Sequence, residues 1–107
     1  MTSLHYRLVE GTHEIVACSL LEWAVWFKTA DRHVAEDYLV RDVRVSTVFL
    51  GLDHRFYGDG PPLLFETMIF GGPHDGYQRR YATWDDAERG HTDACELVAG
   101  FVSIDDD

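Results

Sequence analysis

The strongest constraint on the fold is the run from Val43 to Leu50, in which Val43, Val45, Thr47 and Phe49 alternate with Arg44, Ser46, Val48 and Leu50. A period of two in β-branched and aromatic residues specifies a β-strand whose alternate side chains face opposite ways. Its second half is apolar on both faces, which predicts a central strand sandwiched between two layers. The segment Val34 to Val40 precedes it as a natural antiparallel partner. Leu63 to Phe70 follows, entered from Pro61-Pro62 and stopped by Gly71-Gly72-Pro73, and Tyr77 to Ala82 reads as a shorter final strand. Upstream, His5 to Val9 and Glu14 to Ala17 flank Gly11-Thr12 as a hairpin or a pair of edge strands. The glycine- and proline-rich stretches Gly58 to Pro62 and Gly71 to Gly76 are loops.

Two helices complete the pattern. Ser19 and Glu22 have the spacing of a capping box, so a helix begins after Ser19. Leu20, Trp23, Ala24 and Phe27 form one face over about three turns. Leu21, Val25 and Trp26 widen the apolar stripe beyond what a surface helix needs, so this helix is either deeply buried or partly covered by a partner, with burial the commoner outcome. The second helix starts at Thr83, whose hydroxyl can cap it while Asp85 and Asp86 sit at the positive end of the helix dipole. Trp84, Ala87, His91, Ala94, Cys95 and Val98 share its apolar face, and Asp85, Asp86, Asp93 and Glu96 lie towards the other. The expected fold class is α+β, an antiparallel meander of about four to six strands packed by two helices.

At 107 residues the chain accommodates one domain, and an apolar content of 46% suffices for a core. Nineteen acids against nine bases give a net charge of −10, which repels phosphate backbones and anionic lipid and argues against direct nucleic-acid or membrane binding. No apolar stretch has the length of a membrane span and no secretory signal is evident, so a cytoplasmic protein is expected. Cys18 and Cys95 are far apart and form no CxxC pair, which fits reduced thiols. The anionic charge concentrates late in the chain, where eight acids from Asp85 onward face the single base Arg89, and residues 103–107 are expected to fray.

Candidate chemistry is sparse. Asp53-His54 closes the central strand and opens the longest irregular stretch, where Asp53 could orient His54 as a general base. The alternative is a turn capped by Asp53 with His54 as a half-exposed loop residue. Glu66 interrupts the row Leu64, Met68, Phe70, as a catalytic acid or as half of an ion pair with Arg44, Arg79 or Arg80. His91 and Cys95, four apart on the second helix, have a spacing that permits two metal ligands, with further ones to come from His54, His74 or Asp53. The glycine pairs lack the lysine of a phosphate loop, and no nucleophile elbow is present, so no cofactor is expected and no catalytic motif supports an enzyme. The acidic face is either a solvated surface or a docking surface for a basic partner.

The stretches VSTVFLGLDH (Val45 to His54), GPPLLFETMIFGG (Gly60 to Gly72), RYATW (Arg80 to Trp84) and AERGH (Ala87 to His91), with Leu21-Glu22-Trp23 and Trp26-Phe27, resemble a group of small uncharacterised proteins of tailed phages and prophages. The resemblance implies an accessory protein made in a bacterial cytosol and transfers no catalytic or binding residue. The leading expectation is a protein that binds a host or phage protein with a basic surface through Asp85, Asp86, Asp93 and Glu96, with inhibition of a host enzyme or defence system as one expected outcome. Alternatives are a small enzyme or metal-binding protein built on Asp53, His54, Glu66 and His91, and a self-associating structural protein whose homo-oligomer interface covers Trp23 or Trp26.

Overall fold

The computed structural model describes residues 4–55 and 58–100. It is an α+β fold with two antiparallel sheets and two helices. β1 (His5–Leu8) and β2 (Ile15–Cys18) form a two-stranded sheet, and α1 (Leu20–Phe27) follows directly. β3 (His33–Leu39), β4 (Val43–Phe49), β5 (Phe65–Phe70) and β6 (Gln78–Tyr81) make an open meander in that spatial order, and α2 (Trp84–Ala99) crosses over all four. The expected acidic tail at 103–107 lies outside the described residues.

The register of the meander organises the core. Val45 pairs with Ile69, Thr47 with Thr67 and Phe49 with Phe65. These three rungs face α2, and every residue in them is buried. Two apolar clusters result. Phe49, Phe65, Leu64, Leu8 and Ala87 form one, while Val43, Val45, Ile69 and Ala94 form the other. The threonine rung lies between them. The opposite face of the sheet mixes polar residues with Val48, Met68 and Phe70, and among the described residues no helix or second sheet is layered over it. There Arg44 pairs with Glu36 at 2.7 Å and lies over the Phe70 ring, while Glu66 accepts from Arg80 and Gln78. The expected sandwiching of β4 is thus corrected: α2 supplies one apolar layer, and a face of this kind is ordinary for an antiparallel sheet turned to water.

α2 is fixed at both ends by local chemistry. Thr83 accepts from the Asp86 amide, and Gly100 closes the helix in the left-handed conformation. Ala87, Gly90, His91 and Ala94 are its buried residues, small enough to bring the helix close to the strands. Gly90 lies directly against the Tyr81 ring, where a β-carbon would sit 2.1 Å from the hydroxyl oxygen.

α1 has the predicted capping box, with the Glu22 amide donating to Ser19 and the Ser19 amide to Glu22, each at 3.1 Å. It is shorter than expected, eight residues or about two turns. Its packed side is carried by the rings of Trp23, Trp26 and Phe27 rather than by Leu20, which is exposed. Trp26 meets Phe49 edge-on at 5.8 Å, and Arg32 lies 4.0 Å over the Phe27 ring. The β1–β2 hairpin is tied to the end of β4, since Tyr6 N donates to Gly51 O at 2.8 Å and Asp53 N to Leu4 O at 3.1 Å. Gly51 has φ +75°, and a β-carbon there would be 2.4 Å from the Trp23 indole nitrogen, so the junction requires glycine. At the hairpin tip His13 stacks on Trp84 at 3.6 Å and joins this unit to the start of α2.

Candidate functional site

Asp53, His54 and Glu66 are placed in separate structural contacts. Asp53 Oδ1 accepts from Arg55 N at 2.8 Å and Leu63 N at 3.0 Å, which pins the loop to the entry of β5. His54 is half-buried, with Nδ1 2.8 Å from Leu52 O. Glu66 Oε2 lies 3.0 Å from Arg80 Nε on the outer sheet face. None of the three joins His91: Glu66 is across the sheet from it, and Asp53 and His54 lie past the end of β4. Along α2, Asp85, Asp93 and Glu96 are exposed, and Asp86 pairs with Arg89. Asp86 and Asp93 share one surface hollow with Arg79, Arg80 and Arg89, so this part of the acidic face is of mixed charge.

The structure assembles a different constellation around His91. Its ring is buried, 4% exposed, between the sheet and α2. Nδ1 lies 2.7 Å from Thr47 Oγ1, which lies 2.5 Å from Thr67 Oγ1. Nε2 lies 2.7 Å from Asp37 Oδ2, and Cys95 Sγ is 3.7 Å from the same oxygen. A polar line therefore runs across the sheet beneath α2, from Asp37 on β3 through His91 to Thr47 on β4 and Thr67 on β5. Tyr81 on β6 flanks the far end. Burial raises its pKa, and among the described residues its buried hydroxyl has no hydrogen-bond partner. Burial also pushes the Cys95 thiol up to about 11, with the Asp37 charge and hydrogen bond adding to the effect.

A histidine held between a hydroxyl and a carboxylate is the arrangement of an oriented general base. Here Thr47 has no exposed surface, so its hydroxyl cannot attack an external substrate. Solvent reaches the line at its Asp37 and Cys95 end, where the Asp37 side chain is 54% exposed. His91 and Cys95 were identifiable from their helical spacing. Asp37 was not, because its approach depends on the pairing of β3 with β4. The only sequence sign of it is an acid in phase with Ala35 and Leu39 on a strand whose inward face must meet α2.

The second distinctive surface is α1. None of its residues is buried, and Leu20, Leu21 and Val25 are 61%, 74% and 64% exposed. Leu21 and Val25 line a shallow apolar depression with Trp26, edged by Arg7 and Glu22. Cys18 just before α1 and Cys95 on α2 are both free thiols. Among the described residues no helix is long and apolar enough to cross a membrane. No protein-family model, no curated protein and no solved structure matches the chain.

Proposed function

We propose that the chain acts by binding another protein, with the apolar face of α1 as its docking surface. The observation that carries this reading is the exposure of Leu20, Leu21 and Val25 on a helix in which no residue is buried. A helix of such composition ordinarily turns its apolar stripe into a core, and this one turns only its aromatic side inward. The partner's chemistry follows from the charge: an apolar groove with a basic rim. Two copies of a chain carrying −10 repel one another, whereas a cationic rim gains association rate against it. The exposed acids Asp85, Asp93 and Glu96, with Asp86 beside them, would extend the same attraction. The resemblance to phage and prophage proteins suggests a host or phage protein in the bacterial cytosol, with inhibition of a host enzyme or defence factor as the consequence.

The test is capture from bacterial lysate by tagged protein at low and high salt, read by mass spectrometry, with light scattering of the free chain alongside. A protein held by the native chain and lost from the folded Leu21→Asp, Val25→Asp variant is the expected result. A partner indifferent to that variant, but lost when Asp86, Asp93 and Glu96 become Lys, would move docking to α2. A dimer that dissociates in the α1 variant would replace the partner with a second copy, and no captured protein together with a monomer would sink the reading.

A further inference from the structure

We propose that Asp37, His91 and Cys95 form a zinc site, three protein ligands with a fourth position open to solvent at the edge of the sheet. One donor atom from each residue, the Asp37 carboxylate, His91 Nε2 and Cys95 Sγ, lies within 4.8 Å of the other two. This set of one oxygen, one nitrogen and one sulfur suits a borderline-soft ion such as Zn²⁺ and fails the all-oxygen demands of Ca²⁺ and Mg²⁺. Three ligands with an open fourth place is the arrangement of reactive rather than purely structural zinc.

The geometry needs little rearrangement. Ordinary zinc–ligand bond lengths in a tetrahedron put neighbouring donors about 3.4–3.6 Å apart. The Cys95 Sγ to Asp37 Oδ2 separation is 3.7 Å, close to that value already. The His91 Nε2 to Asp37 Oδ2 separation is 2.7 Å and has to open by roughly 0.7 Å. Asp37 can supply that movement, since it sits on edge strand β3 with more than half its side chain in solvent. The two other ligands are one helical turn apart on α2 and held on the same side of it.

The interior behind the site is organised as a metal-bound histidine requires. Such a histidine donates its other ring N–H to an acceptor, which fixes the ring and its tautomer. Thr47 Oγ1, 2.7 Å from Nδ1, can accept that proton, and Thr47 can in turn donate to Thr67. In the metal-free neutral tautomer that donates Nε2–H to Asp37, the line runs the opposite way and Thr47 donates to Nδ1. Metal entry displaces the Nε2 and Sγ protons, places one proton on Nδ1 and reverses the hydroxyl donors, with one proton released to solvent for each ion bound.

The test is a titration of the tag-free full chain with Co²⁺, read by absorption, followed by competition with Zn²⁺. The expected result is a thiolate-to-cobalt charge-transfer band saturating at one equivalent, abolished in Cys95→Ser and displaced by Zn²⁺. Asp37→Asn should weaken Co²⁺ binding at least about tenfold, and Thr47→Val about 10- to 100-fold, if folding is intact by circular dichroism. Cys95 and Asp37 are only partly buried, so their variants keep the test interpretable where a His91 variant fails to fold. Absence of the band, a band that survives Cys95→Ser and vanishes in Cys18→Ser, or an affinity unchanged by Asp37→Asn would overturn the site.

Discussion

The two helices of this protein are close to opposites in how they use their sequences. α2 is weakly apolar, yet it packs against four strands and buries Ala87, Gly90, His91 and Ala94. α1 is apolar almost throughout, yet it buries nothing completely and leaves Leu20, Leu21 and Val25 in solvent. The difference teaches that burial follows the shape of what a helix can reach. Small residues let α2 approach the sheet along its length, whereas the large rings of Trp23, Trp26 and Phe27 hold α1 at the sheet's end and fill the gap themselves.

This contrast can be broken most directly by truncating one large apolar side chain at each helix. Phe65→Ala, under α2, is expected to cost about 3–5 kcal/mol in denaturant unfolding. Leu21→Ala on α1 should stay within about 0.5 kcal/mol in the isolated protein. A comparable loss at Leu21 would show that α1 is part of the core after all.

Removing one partner from the buried polar line should come next. Thr47→Val leaves His91 Nδ1 and the Thr67 hydroxyl without their partner and should cost about 1–3 kcal/mol. The double change with Thr67→Val should cost less than the sum of the two singles, because both mutations break the same hydroxyl–hydroxyl bond. Additive losses would show that the line is not a coupled network.

Gly90→Ala sharpens the role of close approach. In an exposed helix it would gain up to about 1 kcal/mol. Here the new β-carbon meets the Tyr81 ring, so a net loss of about 1–2 kcal/mol is expected in thermal or denaturant unfolding. A net gain would mean that Tyr81 moves aside freely.

The smallest effect concerns the α1 cap and pH. The Ser19 backbone amide, then its hydroxyl, holds the Glu22 carboxyl below its ordinary range. A folded pKa below the unfolded one contributes stability that is present above the unfolded value and lost as pH falls through the folded value. Protection of the Glu22 and Trp23 amides against exchange, taken relative to the intrinsic rate at each pH, should therefore fall on acidification below the ordinary carboxylate range while protection in β4 holds. Equal loss of protection in both would erase the distinction between the two units.

Much of the fold was legible. The alternation in β4, the Ser19–Glu22 box, the Thr83 cap and the glycine-rich loops each act within a few residues, and the structure has the meander and both helices where they indicate. The outer layer expected over β4 was misread, because Val48 and Leu50 alone do not show whether a second layer exists. The ion pair of Glu66 was anticipated with three arginines open, and the register of β5 against β6 selects Arg80.

What the sequence determined by itself was therefore local: which segments are strands or helices, where the helices start, and that His91 and Cys95 share a face. Tertiary structure decided what those residues meet. Thr47 and Thr67 form one rung because β4 and β5 pair in that register, and Asp37 reaches His91 across a separation of 54 residues because β3 lies beside β4 beneath α2. Such contacts depend on strand pairing and layer stacking over long sequence distances. No periodicity or cap in the chain encodes those, because the energies that set them belong to surfaces that exist only after the elements have formed.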